Sequence, residues 1–163
     1  MQFYFNGDIN VKGDLYIIST KLYNTNNGKI VSENNFEGEN LFNLLDEMSY
    51  QLRLDVGVPQ VHLDENIDLP ASETITSSFE AYENYMKGMI IQSEDGEKAA
   101  ALYEKAIQLD NTFAMAYFML QDAYVMNNQG DKRLGAIKKV LEYDYKLPER
   151  MKFIPKVMYY WET

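Results

Sequence analysis

The chain has no cysteine, so disulfides, thiolate nucleophiles and cysteine metal sites are excluded, and the redox compartment stays open. It has a single histidine, His62, and no motif ties that residue to a serine. Apolar runs are short, and none approaches the roughly 18–20 residues needed for a membrane span. The opening "MQFYFNGDIN" lacks a basic segment followed by an apolar stretch, so it does not read as a secretory signal. A cytoplasmic location is expected over a periplasmic one. Positive charge is scarce: 15 Lys and Arg stand against 25 Asp and Glu, giving −10. Such a chain repels phosphate backbones, so nucleic acid is not an expected partner. The imbalance is steepest over residues 1–70, with 4 basic and 11 acidic residues.

Catalytic signatures are missing in the same way. Gly7 and Gly13 sit in a strand-rich stretch, with no following helix to cradle a phosphate. Asp46 and Glu47 are adjacent on a helical stretch, so they point in different directions and read as part of a solvated face. A metal site would have to gather His62, Asp64, Glu65 and Asp68 from one acidic loop, which lacks the glycine and ligand order of a calcium loop. Neither an enzyme, a metal nor a cofactor is expected.

What the chain does have is pattern. Hydrophobic residues make up 46% of 163, enough for one domain or two small ones. Residues 2–38 read as three strands. "FYFNGDI", "DLYIISTKLYN" and "KIVSENNFEG" are rich in aromatic and β-branched residues, and Leu15 to Tyr23 alternate. Turn signals at 11–14 and 24–29 separate them, Asn27-Gly28 being the sharpest. A helix is expected next, capped by Asn40, with Leu41, Leu44, Leu45, Met48 and Leu52 on one stripe, ending at Gly57 before Pro59. Residues 1–57 thus form a thin antiparallel meander with one helix. Its edge strands, 2–10 and 29–38, offer a route to a homodimer. Residues 58–77 read as a linker with one short extended piece at 60–63.

From Ser78 the period lengthens. "LYEKAIQLD" (102–110) and "AIKKVLEYD" (136–144) align 34 residues apart, and Ala81, Tyr85, Met86 and Ile91 align with Ala114, Phe118, Met119 and Tyr124 at 33. Self-similarity at this period predicts stacked helical hairpins over 78–163, with a terminal helix from "KLPER". Pro148 suits the first turn of that helix, and Pro155 is expected to kink or interrupt it. Tyr159, Tyr160 and Trp161 are expected to cap the stack. The fold class is therefore α+β, with the meander first and the α-hairpin repeats after it.

Gly88, Ala99, Tyr103 and Ala106 in the first hairpin carry a resemblance to the tetratricopeptide repeat family, as do Ala114, Tyr117, Leu120, Tyr124, Ile137 and Val140 in the second. Gln121 and Arg133 depart from it, standing where small residues are usual, so a slightly splayed second hairpin is expected. The order of parts, "GDLYII", "NGKIV", "LFNLLDEMS", "TSSFEAYENYMKG" and "LPER", is similar to the end of a TolB-like or FlgO-like α/β domain running into such repeats in bacterial signalling proteins. The resemblance implies a non-catalytic region of a larger bacterial protein that binds a protein or peptide on its concave face. That face would be lined by Tyr82, Tyr85, Met89 and Gln92, and by Met115, Phe118, Asp122 and Met126, while Met86 and Met119 serve the core. Methionine and tyrosine suit adaptable recognition. The basic residues that hold a partner's C-terminal carboxylate in some members are missing. The alternative is a sensory or dimerising module that binds a small ligand through the α/β unit.

Overall fold

The computed structural model describes residues 2–65 and 69–163. The chain divides into two compact units, Met1–Ala71 and Ser72–Thr163. A three-stranded antiparallel sheet comes first and eight α-helices follow among the described residues, an α+β architecture. None of those helices is long and apolar enough to cross a membrane.

In the first unit, β1 (Phe3–Lys12), β2 (Leu15–Asn24) and β3 (Ile30–Gly38) pair in sequence order. Gly13, at φ +64°, opens the two-residue turn from β1 to β2. Gly28, at φ +68°, supplies the left-handed residue that the next turn needs. Alternation decides what is buried. Ile18, Thr20 and Leu22 point to one face and are buried, with Phe36 beside Ile18 on β3. Helix α1 (Leu41–Asp55) covers that face over β2 and β3. Asn40 caps it by accepting from the Phe42 and Asn43 amides at 3.0 and 3.2 Å. The end of α1 is tied to β3 by Asp55, which accepts from Ser32 Oγ at 2.6 Å and Asn34 Nδ2 at 2.7 Å. Burial pushes that carboxyl up, but these bonds and one from Gln51 outweigh it and hold it below its ordinary value.

The 58–77 stretch contains helical turns. Its proposed extended piece is instead α2 (Gln60–Glu65), which begins directly after Pro59, and α3 (Ala71–Thr74) follows Pro70 in the same way. Proline at the entry of a helix is favourable because its missing N–H has no intrahelical partner there anyway.

In the second unit, α4 (Phe79–Ile91) pairs with α5 (Gly96–Leu109), and α6 (Ala114–Met126) with α7 (Gly130–Glu142). Helix α5 also packs on α6, and α7 on α8 (Glu149–Glu162). Ser78 and Asp95 cap α4 and α5, accepting from the Ala81 and Lys98 amides. Ala81, Ala99, Ala106, Phe113, Ala116, Leu120 and Ala123 build the larger core, and Tyr103 is buried at its centre. A second cluster joins Ala114, Phe118, Val140 and Leu147. Small side chains set the helix spacing, most sharply at Gly88, where an added Cβ would lie 2.6 Å from the Tyr103 ring.

Of the two effects expected of Pro155, interruption of α8 does not occur, since the proline lies inside the helix. The proline is fully buried and so gains packing, while the absent N–H removes one rung of the helix ladder. Tyr160 and Trp161 do not cap the stack; they are exposed.

Candidate recognition surface

The first helices of the two hairpins, α4 and α6, hold seven of the eight residues expected to line a groove, and Gln92 is the C-cap of α4; the structure sorts them by depth. Tyr85 is 6% exposed, its ring 5.0 Å from Phe113 and 6.0 Å from Tyr103, so it belongs to the larger core. Phe118, 8% exposed, belongs to the second cluster. Both rings are drawn inward because the small residues around them, such as Ala81 and Ala114, leave space that only an aromatic fills. Tyr82 and Met115 are half-buried against the same clusters, like Met86 and Met119. Met89 and Met126 remain exposed, at 43% and 52%.

Gln92 connects the ends of α4 and α6. Its side-chain carbonyl accepts from the Tyr103 hydroxyl at 2.6 Å, and its amide donates a long contact, 3.9 Å, to the Met126 sulfur. Burial raises the Tyr103 pKa, so the hydroxyl stays protonated and keeps donating. Gln92 thus ties the end of α4 to Tyr103 of α5 and touches Met126 at the end of α6.

The other half of the surface carries a charge. The half-buried Asp122 accepts from Gln121 Nε2 at 2.5 Å. Burial pushes its carboxyl up, while the Gln121 bond and the Arg133 charge act in the opposite direction. Gln121 itself is fully buried, and its carbonyl accepts from Arg133 Nε at 3.1 Å. Arg133 also pairs with Glu162 of α8. Gln121 and Arg133, two side chains larger than those expected at their positions, thus form a bonded pair between α6 and α7.

An aspartate fixes the turn between the hairpins. Asp110 accepts from the Thr112 amide at 2.9 Å and its hydroxyl at 2.8 Å, and Lys146 donates to that hydroxyl at 2.7 Å. Burial pushes the Asp110 carboxyl up, but bonds from Thr76 and Thr112 outweigh it and the pKa falls below its ordinary value.

Two features escaped the reading of the sequence. One is a shallow cavity of about 290 Å³ between α4 and α5, lined by Lys87, Ile90, Ile91, Lys98 and Leu102. The other is the apolar stripe of α8, which the spacing of its large residues could have revealed. No group of three or more metal-ligating side chains converges among the described residues. His62 lies on α2, and the Asp68 once grouped with it, like the side chains of Asp64 and Glu65, falls outside what is described. No family model, curated protein or solved structure matches the chain.

Proposed function

We propose that the helical unit is a non-catalytic protein-interaction module that grips an extended or helical peptide along α4 and α6, as the resemblance to tetratricopeptide repeats implies. The observation that carries this is the junction at Gln92. It sets the exposed Met89 and Met126 on adjoining helix ends, above a core of buried aromatics. Flexible thioethers over a rigid base can follow varied apolar side chains. Asp122 beside them disfavours an acidic ligand terminus and suits a peptide with a basic or neutral flank. In this reading the chain is a regulatory or scaffold region of a larger bacterial protein.

The test is peptide selection on the whole chain, followed by affinity measurement against Met89→Glu/Met126→Glu. Both positions are exposed, so the fold is expected to survive. Selected peptides that bind the double variant at least 10-fold more weakly support the reading. Equal binding to both proteins, or no selectable peptide at all, overturns it.

A second reading concerns the sheet. Phe5, Ile9 and Val11 share the face of Ile18 and Leu22 but are 40%, 53% and 65% exposed, because α1 covers only β2 and β3. Pairing of β1 with β1 of another copy would extend both the ladder and this apolar face. A dimer that is abolished by Ile9→Lys supports it, and a dimer indifferent to that change removes it.

A further inference from the structure

We propose that the exposed face of α8 is a self-recognition surface, on which a second copy of the chain docks through its own α8 with the two helices antiparallel about Val157. The face is built from Phe153, Ile154, Val157, Tyr160 and Trp161, which are 71%, 39%, 36%, 78% and 87% exposed. The opposite side of the helix is already engaged. Pro155 is buried, Met151 packs on the second cluster, Lys156 reaches Asp144 and Glu162 reaches Arg133. What remains outward is therefore one continuous apolar stripe on a helix whose orientation is fixed from behind.

The order of these residues points to a second copy. Large apolar residues stand three and four positions before Val157 and again three and four positions after it. The stripe therefore reads the same in both directions. A two-fold axis through Val157 lays Phe153 against Trp161 and Ile154 against Tyr160 of the second copy, with Val157 meeting its own equivalent. Such self-complementarity is what an isologous interface requires. No charged residue belongs to the stripe, so no like charges meet across this register. The spacing is also that of knobs packing between two helices.

The area is of the right order. The three aromatics alone expose roughly 500 Å² per copy, taking about 200 Å² for each whole side chain. With Ile154 and Val157 the stripe reaches roughly 600 Å² per copy, the lower end of the range of standard interfaces. An isolated apolar area of this size, rich in Trp and Tyr, matches the composition of an interface centre.

Trp161 is the only tryptophan in the chain, so its emission reports on this surface alone. The experiment is sedimentation of the full chain over a wide dilution series, with Trp161 emission read on the same samples. A dimer is expected, with a blue shift of the emission that tracks the dimer fraction. Val157→Glu/Tyr160→Glu sets one carboxylate against its symmetry mate on the axis and another against Ile154 of the second copy, and is expected to weaken the dimer at least 100-fold. Emission should then stay red at every concentration, with far-ultraviolet dichroism unchanged. Should that variant lose helicity, Phe153→Lys carries the same expectation. Ile9→Lys, in the sheet, is expected to leave this dimer intact, which separates it from strand pairing. A wild-type chain that stays monomeric overturns the proposal. So does a dimer whose Trp161 emission does not move, or one that the α8 variants leave unaltered.

Discussion

Replacing Gly88 with alanine sets two effects of opposite sign against each other. In an open helix interior the change is favourable by about 1 kcal/mol, since glycine loses more backbone freedom than alanine. At Gly88 the new methyl would lie 2.6 Å from Tyr103 Cε1 and 3.0 Å from both Cδ1 and Cζ. The ring has no room to retreat. It is fully buried, Tyr85 packs 6.0 Å away, and its hydroxyl is held to Gln92 at 2.6 Å. Forcing an extra methyl into such a site costs about 1–3 kcal/mol. The net expectation is a loss of up to about 2 kcal/mol, because part of the overpacking cost is recovered as helix propensity. Gly135 supplies the control: it lies in α7, and a Cβ there meets nothing within 4 Å. Gly135→Ala should stabilise by about 0.5–1 kcal/mol. The assay is urea unfolding followed by far-ultraviolet dichroism, whose helical signal comes mostly from the helices of the second unit. Gly88→Ala as stabilising as Gly135→Ala would refute the close approach of α4 to α5.

Three further tests follow the polar network. Arg133→Met leaves the buried Gln121 carbonyl without its donor and should cost about 1–3 kcal/mol, and Gln121→Ala/Arg133→Ala should cost less than the sum of its single changes in a urea-based double-mutant cycle; strict additivity would deny the pairing. Asp110→Ala should cost about 1–2 kcal/mol near neutrality, through loss of the bonds from Thr76 and Thr112. Because the folded Asp110 pKa is lowered, its stabilisation is present above the ordinary aspartate pKa and fades as pH falls through the folded value. The gap between wild type and Asp110→Ala should therefore narrow on acidification, and a gap independent of pH would contradict the assignment.

Much of the secondary structure was legible because local signals agreed. Strand alternation and the glycines at 13 and 28 placed the meander, and Asn40 gave the start of α1. The 33–34-residue spacing placed the hairpins, because nesting helices need small residues at fixed intervals. The rest depends on contacts that a sequence does not display. Acids and prolines in 58–77 suggested a loop, yet Pro59 and Pro70 each start a short helix. Gln121 and Arg133 each read as a departure from the pattern, and only their proximity shows that one answers the other. Tyr85 and Phe118 share a helix side with exposed residues, so helical phase could not tell which reach inward; neighbouring alanines draw them in. Tyr159, Tyr160 and Trp161 were read as a cap from their place at the end of the last helix, whereas Pro155 and Met151 are α8 residues that pack inward.

Hydrogen exchange of the whole chain, with and without a selected peptide at saturating concentration, tests the recognition surface most directly. Amides protected on binding should map to the C-terminal turns of α4 and α6, around Met89, Gln92 and Met126, with the outer faces of α5 and α7 unchanged. Protection confined to the sheet or to α8, or none anywhere, would place recognition elsewhere and contradict the proposed grip along α4 and α6.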